Sequence, residues 1–450
     1  AQRRAGEPRE PPARGAICAV CRKGGDGPKM LLCDECNVGM HMYCLDPPLG
    51  RVPQSEWYCP TCLANTGGDY GFEDGETHSL HSFWRRCEAF AAAWWAQRGV
   101  KRDPDECVHD AEDRIEAEFW RLVHSTDEHV DVEYGADVHS STHGNAAPTA
   151  EQQPLSAYAR SGWNLNNMPI LPESLLRYIK TEISGMTVPW IYIGMMFSAF
   201  CWHNEDHYTY SVNYQHWGAT KTWYGVPGAD AERFEAAMRA TAPELFDSCP
   251  DLLLQLVTMM SPEHALRHGA RVYALNQRAN EFVLTFPKAY HSGLNQGFNL
   301  NEAVNFALPD WIMDGLACVH KYQVFHRQPV FSHDELLVTI AQHSQHLSTA
   351  VWLQHAYREM VDRELAQRRA VQQAIADALG AAPDATAVEL DERDRPEPEY
   401  QCAHCRMYCY LSQITAPGAD VACLAHGREV CGAPARWTLR VRLSDAYLLG

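Results

Sequence analysis

The sequence predicts a mostly β core of the jelly-roll class, a double-stranded β-helix, wrapped by helical layers and flanked at both ends by small zinc-stabilised modules. Three observations predict it. Between residues 126 and 326, short runs rich in β-branched and aromatic residues recur (IYIGMMFSAF, TYSVNYQ, KTWYGVP, RVYALNQ, EFVLTFP), as in a jelly roll. Of the 17 cysteines, seven lie before residue 63 and five between 402 and 431, mostly in CxxC-type pairs, which reads as zinc rather than disulfides in an intracellular protein. The segment FCWHNEDHY, flanked by two of these runs, carries His203-Asn204-Glu205, and another run is followed by His291.

Side chains at i and i+2 of an extended segment project from one face, so His203 and Glu205 can share a metal. Closing a barrel could bring His291, in FVLTFPKAYHSG, opposite them as a third ligand. Two His and one carboxylate leave the other coordination positions open, the arrangement by which non-haem Fe(II) oxygenases hold a co-substrate and dioxygen. Paired, satisfied core residues would show the same pattern, and the flanks favour the metal. Ser211, Asn213 and Lys221 would share the inward face of His203, among the aromatics Phe200, Tyr208, Tyr214, Trp217 and Trp223. A Lys inside a barrel is costly unless it meets an anion, and a dicarboxylate co-substrate would supply one.

Residues 1–14 are Pro- and charge-rich and read as disordered. From 15 to 66, Cys18/Cys21, Cys33/Cys36, His41/Cys44 and Cys59/Cys62 supply four ligand pairs, and a segment with so small a core needs metal to fold. Residues 67–125 form a helical connector whose apolar residues recur every three or four positions. Trp94-Trp95 reads as helix-to-core packing, and Cys87 and Cys107 as ordinary buried thiols. The β core at 126–326 holds a helical insertion, GADAERFEAAMRATAPELFDSCPDLLLQLV. Residues 327–382, poor in Gly and Pro, form a helical region in which His333, His343, His346 and His355 are solvated; 383–399 is an acidic linker. At 400–450 the last module offers Cys402, Cys405, Cys423 and His426 as one tetrahedral zinc set, with Cys409 and Cys431 left over.

VPWIYIGMMFSAFCWHNEDHYTYSVNYQHWGATKTWYGVP and TFPKAYHSGLNQGFNLNEAVNFALPDWI resemble the JmjC domain of histone lysine demethylases, of the JARID-type subfamily that acts on methylated lysine 4 of histone H3. The likeness continues upstream through EFWRLVHSTDEHVDVEYGADVHS and SGWNLNNMPILPESLL and includes the zinc modules on both sides. The first module resembles a PHD finger, whose interleaved pairs would give Cys18, Cys21, His41 and Cys44 to one zinc and Cys33, Cys36, Cys59 and Cys62 to the other, with Trp57 as aromatic plug. The last resembles the family's Cys/His zinc finger, which has five Cys, one His and two Cys. Here no Cys stands near Ile414-Thr415-Ala416, and Gly432-Ala433 replaces the final one, so a second zinc there is left open.

The resemblance implies Fe(II) on His203, Glu205 and His291, chelated by 2-oxoglutarate. The far carboxylate of the co-substrate would rest on Lys221, helped by Tyr134 and Asn213, with Ser211 supporting and Trp223 covering the site and Phe200 and Asn295 also contributing. Tyr192 would line the methyl-lysine pocket. Hydroxylation of an N-methyl group would release formaldehyde and succinate, a reaction that needs no nitrogen lone pair and so admits trimethyl-lysine. In the finger, no aromatic stands at Met30, Leu31 or Leu32 to cage a quaternary ammonium, while Asp26, Asp34 and Glu35 can pair with a basic tail; an unmethylated histone H3 tail is the expected ligand.

A net charge of −19 argues against a general nucleic-acid surface and suits a basic partner such as a histone tail. No apolar run is long enough to span a bilayer, and the first residue is not Met, so the chain reads as a piece of a larger soluble protein. Chromatin-associated complexes, the nucleus and transcriptional regulation complete the expectation. Two other classes stay open: a 2-oxoglutarate-dependent protein hydroxylase, which chromatin-type flanking modules disfavour, and a catalytically silent histone reader or scaffold, which a missing ligand or Lys would have supported.

Overall fold

The computed structural model describes residues 17–33, 38–45, 49, 52, 57, 59, 72–100, 105–125, 127–249, 251–255, 257–383, 388–393 and 397–449. At the N-terminal end β1 (Met30–Leu32) pairs antiparallel with β2 (Gly39–His41). Cys18, Met30, Cys33, Met40 and Cys59 make a small buried cluster against which Trp57 packs. Two helices follow, α1 (Leu80–Gln97), begun by a capping box at Ser79 and Ser82, and α2 (Val108–Val123).

The central body is two sheets. One has the order β3 (Gly135–His139), β4 (Trp190–Gly194), β11 (Asn299–Phe306), β6 (Tyr210–Gly218), β9 (Phe282–Thr285). The other runs β5 (Ala199–His203), β10 (Tyr290–Asn295), β7 (Lys221–Val226), β8 (Tyr273–Gln277). Apart from the β7–β8 step, consecutive strands from β4 to β11 alternate between the sheets, and every pairing is antiparallel, which is jelly-roll topology. The run IYIGMMFSAF is therefore two strands and not one. Between them the chain leaves one sheet for the other at Met195–Ser198, where Phe197 takes φ 71° and the Ser198 hydroxyl is bonded to both the amide and the carbonyl of Met195.

The apolar core lies outside the roll. Outward residues of the first sheet, Tyr210, Val212, Val304 and Phe306, pack against Trp311, Leu336, Leu337, Leu353 and Met360 of the helical layer. Outward residues of the second, Trp202, Tyr224, Val226, Tyr290 and Leu294, pack on the insertion helix α3 (Ala231–Thr241) and on Trp94 and Phe119 of α1 and α2. Each buried aliphatic chain here contributes about 1.5–3 kcal/mol. The alternate residues face inward, and many of them are polar: Ser211, Asn213, Lys221, Gln277, His291, Asn295, Asn301 and Asn305 are all buried. Alternation along a strand thus separates a stabilising outer face from a cavity that can take a polar ligand.

After β11 come α4 (Ile312–Val324), α5 (His333–His343) and the long α6 (Leu347–Leu379). The last module is a three-stranded sheet in the order β12 (Val388–Leu390), β14 (Thr438–Val441), β13 (Ser412–Thr415). Inside the stretch read as an acidic linker, β12 pairs parallel with β14, and buried Asp391 meets Arg393 and Arg440. Paired acidic residues can enter a sheet that solvated ones would leave. Cys87 is buried, but Cys107 is exposed at the N-cap of α2, against expectation. His333 is buried rather than solvated, because α5 turns it toward Trp311 and Gly315. Among the described residues no helix is long and apolar enough to cross a membrane.

Candidate functional site

Register brings the two histidines together. In the antiparallel pair β5–β10, His203 stands directly opposite His291, and the ring centroids are 4.2 Å apart. Glu205, two residues on, reaches His291 Nε2 at 3.3 Å. One ligand atom from each of the three lies within 4.8 Å of the others. His203 Nδ1 donates to the Cys201 carbonyl at 2.7 Å and His291 Nδ1 to that of Ala289 at 3.2 Å, which turns both Nε2 atoms toward the cluster. Asn305 Nδ2 donates to Glu205 Oε2 at 2.9 Å. Burial, then the neighbouring His291, holds His203 down to about 4, so it is neutral. Burial pushes the Glu205 carboxyl up, but the hydrogen bond to His291, the neighbouring His203 and the Asn305 amide outweigh this and bring it to about 2. Neutral imidazole and ionised carboxylate are the forms that bind a divalent metal.

The opposite pole of the cavity is Lys221. It faces Asn295 across β7–β10, and its Nζ donates to Asn295 Oδ1 at 3.0 Å and Tyr134 Oη at 3.1 Å. Phe200, Tyr134 and Trp223 present ring faces 4.9, 5.4 and 6.0 Å from the ammonium. The side chain is 2% exposed and meets no carboxylate among the described residues. Burial lowers its pKa to about 7. A buried cation with neutral partners fits an anionic ligand.

Phe200 reaches this place through a bulge. Between His291 and Gly293 the β5–β10 register shifts, so three residues of β5 span two of β10 and Phe200 turns to the same face as His203. Gly293 is required there, since a Cβ would sit 2.1 Å from the Thr222 carbonyl and 2.6 Å from the Phe200 ring. Trp223 Nε1 donates to Gln277 Oε1 at 2.9 Å, and Asn301 Nδ2 bridges Asn213 Oδ1 (2.7 Å) and Gln277 Oε1 (3.2 Å). Ser211, opposite Thr285 in β6–β9, shares a 2.6 Å hydroxyl bond with it. Tyr192, in β4, lies beside Tyr134, with ring centroids 6.2 Å apart.

Of the aromatics expected around the site, only Phe200 and Trp223 face it. Tyr214 packs outward on Phe282, Trp217 is 44% exposed, and Tyr208 joins a cluster with Cys402 and Cys405. Gln277, Asn301 and Asn305 were not anticipated. The signal for Asn301 and Asn305, polar residues at i and i+4 of the β-rich run NLNEAVNF, is legible once that run is known to face a cavity; Gln277, at the end of β8, carries no such signal.

Two further clusters hold metal-ligand geometry. Cys18, Cys21, His41 and Cys44 converge, with His41 Nδ1 3.4 Å from Cys21 Sγ and its Nε2 bonded to the Gly25 carbonyl at 3.0 Å. Burial pushes the Cys18 thiol up, but the amides of Cys21, His41 and Val20 outweigh it and bring it to about 6. Cys33 Sγ accepts from the Cys59 amide at 3.2 Å; Cys36 and Cys62 lie outside the described residues. At the other end Cys402, Cys405, Cys423 and His426 converge, with Cys423 Sγ 3.1 Å from His426 Nδ1. Cys409 is buried beside Cys402, whereas Cys431 turns to the Ile414 and Asp420 carbonyls. Among the described residues neither joins a second ligand cluster.

Comparison with known families gives four matches: a PHD-finger over residues 18–62, a "JmjC domain, hydroxylase" over 190–306, the "Lysine-specific demethylase 5, C-terminal helical domain" over 310–363, and a C5HC2 zinc finger over 402–449. The chain is 42% identical over 448 residues to lysine-specific demethylase 5B of Gallus gallus, covering 96% of this chain and 28% of that protein. It is 43% identical over 430 residues to lysine-specific demethylase 5D of Homo sapiens, covering 92% and 27%. The chain thus spans little more than a quarter of the length of the curated relatives it matches.

Proposed function

From a chain that carries a PHD finger, a JmjC domain, the lysine-specific demethylase 5 helical domain and a C5HC2 zinc finger, homologous to demethylases 5B and 5D, we propose an Fe(II)- and 2-oxoglutarate-dependent histone lysine demethylase. Its target is methylated lysine 4 of histone H3, and it works in the nucleus, in chromatin-associated complexes. The observation that carries this reading is Lys221: a buried ammonium without an anion, in the same cavity as a two-histidine, one-carboxylate cluster toward which both Nε2 atoms turn.

His203, Glu205 and His291 hold the iron, which with 2-oxoglutarate and dioxygen supplies the oxidation of an N-methyl group. Lys221, with Tyr134 and Asn295, neutralises the far carboxylate of the co-substrate. Asn213 and Ser211 line the wall, and Phe200 and Trp223 exclude water from the charge pair. Tyr192 borders the lysine entrance. Cys18, Cys21, His41 and Cys44, with Cys33, Cys36, Cys59 and Cys62, hold the zinc of the finger, and Cys402, Cys405, Cys423 and His426 that of the last module.

Mass spectrometry of mono-, di- and trimethylated lysine-4 peptides incubated with Fe(II), 2-oxoglutarate and ascorbate tests the activity. Stepwise loss of methyl groups with formaldehyde and succinate is the expected result. A peptide that instead retains one added oxygen identifies a hydroxylase, and no consumption of 2-oxoglutarate identifies a silent reader.

In the finger, Met30 and Leu31 are buried in β1, and Asp26 is exposed at 3.9 Å from Lys29; Asp34 and Glu35 lie outside the described residues. Each methyl added to a lysine removes an N–H donor, and charge-assisted bonds are worth about 1.5–3 kcal/mol apiece. Residues 15–66 are therefore expected to bind an unmodified histone H3 tail at least about tenfold tighter than one trimethylated at lysine 4. Calorimetric titration checks this, and equal or tighter binding of the trimethylated tail refutes it.

A further inference from the structure

Immediately after Glu205 the chain makes a turn whose supports come from another part of the molecule. His207 (φ 54°, ψ 18°) and Tyr208 (φ 53°) follow one another in the left-handed region, which residues with a Cβ avoid and which persists where the surroundings over-determine it. Those surroundings are residues 311–331. Tyr322 Oη accepts from the His207 amide at 3.1 Å and donates to Asp206 Oδ1 at 2.7 Å. Arg327 Nη2 donates to the same oxygen at 3.3 Å. Trp311 Nε1 donates to the His207 carbonyl at 2.8 Å, and the amides of Val330 and Phe331 donate to His207 Nε2 at 3.0 and 3.4 Å. Phe331 stacks on the imidazole, with centroids 3.8 Å apart.

The inner part of this network is dry, while the Asp206 and Arg327 side chains reach solvent at its edge. His207 and Trp311 are fully buried, and Tyr322 is 2% exposed. On the far side of the turn, Asn305 Nδ2 bridges Glu205 Oε2 and Thr209 Oγ1, while Thr209 Oγ1 donates to the Asp206 carbonyl. The Glu205 carboxylate is thus tied to both ends of a turn that the helical layer locks. Asn305 acts on Glu205 directly; Tyr322 can act only through the backbone from Asp206 to His207.

We propose that Tyr322 is a positioning residue for the metal centre: from α4 it fixes the Asp206–Tyr208 turn, and so sets the direction in which Glu205 offers its carboxylate to a divalent metal. The role rests on the reading of His203, Glu205 and His291 as metal ligands. It also gives the helical layer a task beyond covering the outer sheet. Replacing Tyr322 by Phe would fill the same space, yet leave the His207 amide without its hydroxyl acceptor and Asp206 Oδ1 with Arg327 as its remaining donor, so that the left-handed turn could relax.

Mn(II) titration of the zinc-loaded chain, followed by the spin-resonance signal of the free ion, tests the proposal without requiring turnover. Mn(II) prefers nitrogen and oxygen ligands to thiolates, so it reports the His/Glu cluster and not the zinc modules. Tyr322→Phe is expected to weaken Mn(II) binding roughly tenfold, in the range seen for outer-shell partners of metal ligands. Leu353→Ala removes a buried side chain of α6 outside this network, and it is expected to lower thermal stability while keeping wild-type Mn(II) affinity. Unchanged affinity in Tyr322→Phe, or an equal loss in Leu353→Ala, overturns the positioning role. His203→Ala separates the two levels: if it binds Mn(II) as the wild type does, the ligand assignment falls and the role of Tyr322 falls with it.

Discussion

A His203→Ala variant is expected to lose formaldehyde release entirely while both zinc modules stay folded. The imidazole is one of three legs, and its loss leaves His291 and Glu205 3.3 Å apart with nothing to complete the face they share. Two ligands bind a metal weakly and in more than one orientation, so the productive geometry is lost along with affinity. His203 lies across β10 from His291 and far along the chain from Cys18, Cys21, His41 and Cys44 and from Cys402, Cys405, Cys423 and His426, so zinc content should not change. Formaldehyde assay together with elemental analysis for zinc checks both halves. Near-normal turnover in this variant would show that the cluster is not the reaction centre.

For Lys221→Ala the expected change is in the requirement for 2-oxoglutarate. A buried carboxylate deprived of its charged partner loses about 3–5 kcal/mol, which corresponds to a rise of roughly two to three and a half orders of magnitude in the concentration needed. Lys221→Arg is expected to fail as well, because the ammonium is enclosed by Tyr134, Asn295 and three ring faces, and a wider planar fork does not fit. The lysine also makes binding pH-dependent. Burial lowers its pKa to about 7 in the free protein, so below that pH the ammonium is already charged, and above it the site must take up a proton to receive the dianion. Affinity should therefore be flat below about pH 7 and fall by up to tenfold per unit above it, until the pKa of the bound complex is reached. Calorimetry in two buffers of different ionisation heat measures the proton uptake directly. Wild-type affinity in Lys221→Ala would mean that this side chain holds the strands together and not the co-substrate.

His203, Glu205, His291 and Lys221 were legible as candidates because their chemistry is unusual for the interior of a β protein, whatever the exact fold. The two CxxC-rich ends were legible for the same reason, since thiol and imidazole pairs at those spacings have few other uses. What escaped was geometry that depends on strand pairing. Simple alternation does not place Phe200 beside His203, three positions away, and only the bulge against β10 does so. Tyr214 and Trp217, expected among the aromatics of the site, do not reach it: one packs outward and the other is exposed at the strand end.

By itself the sequence determined the kinds of chemistry present, the β character of the core, the helical layers and the metal-ligand spacings, because each is written in residue type or short-range period. The tertiary structure alone decided where IYIGMMFSAF breaks between two sheets, that β12 leaves the linker to pair with β14, that His333 is buried, and that Asn301, Asn305 and Gln277 complete the cavity wall. It also decided that Tyr322, more than a hundred residues from His207, holds the turn after Glu205. The physical reason is common to all of these. Each is fixed by a partner distant in sequence, through register, bulge or a buried hydrogen bond, and no local period carries information about that partner.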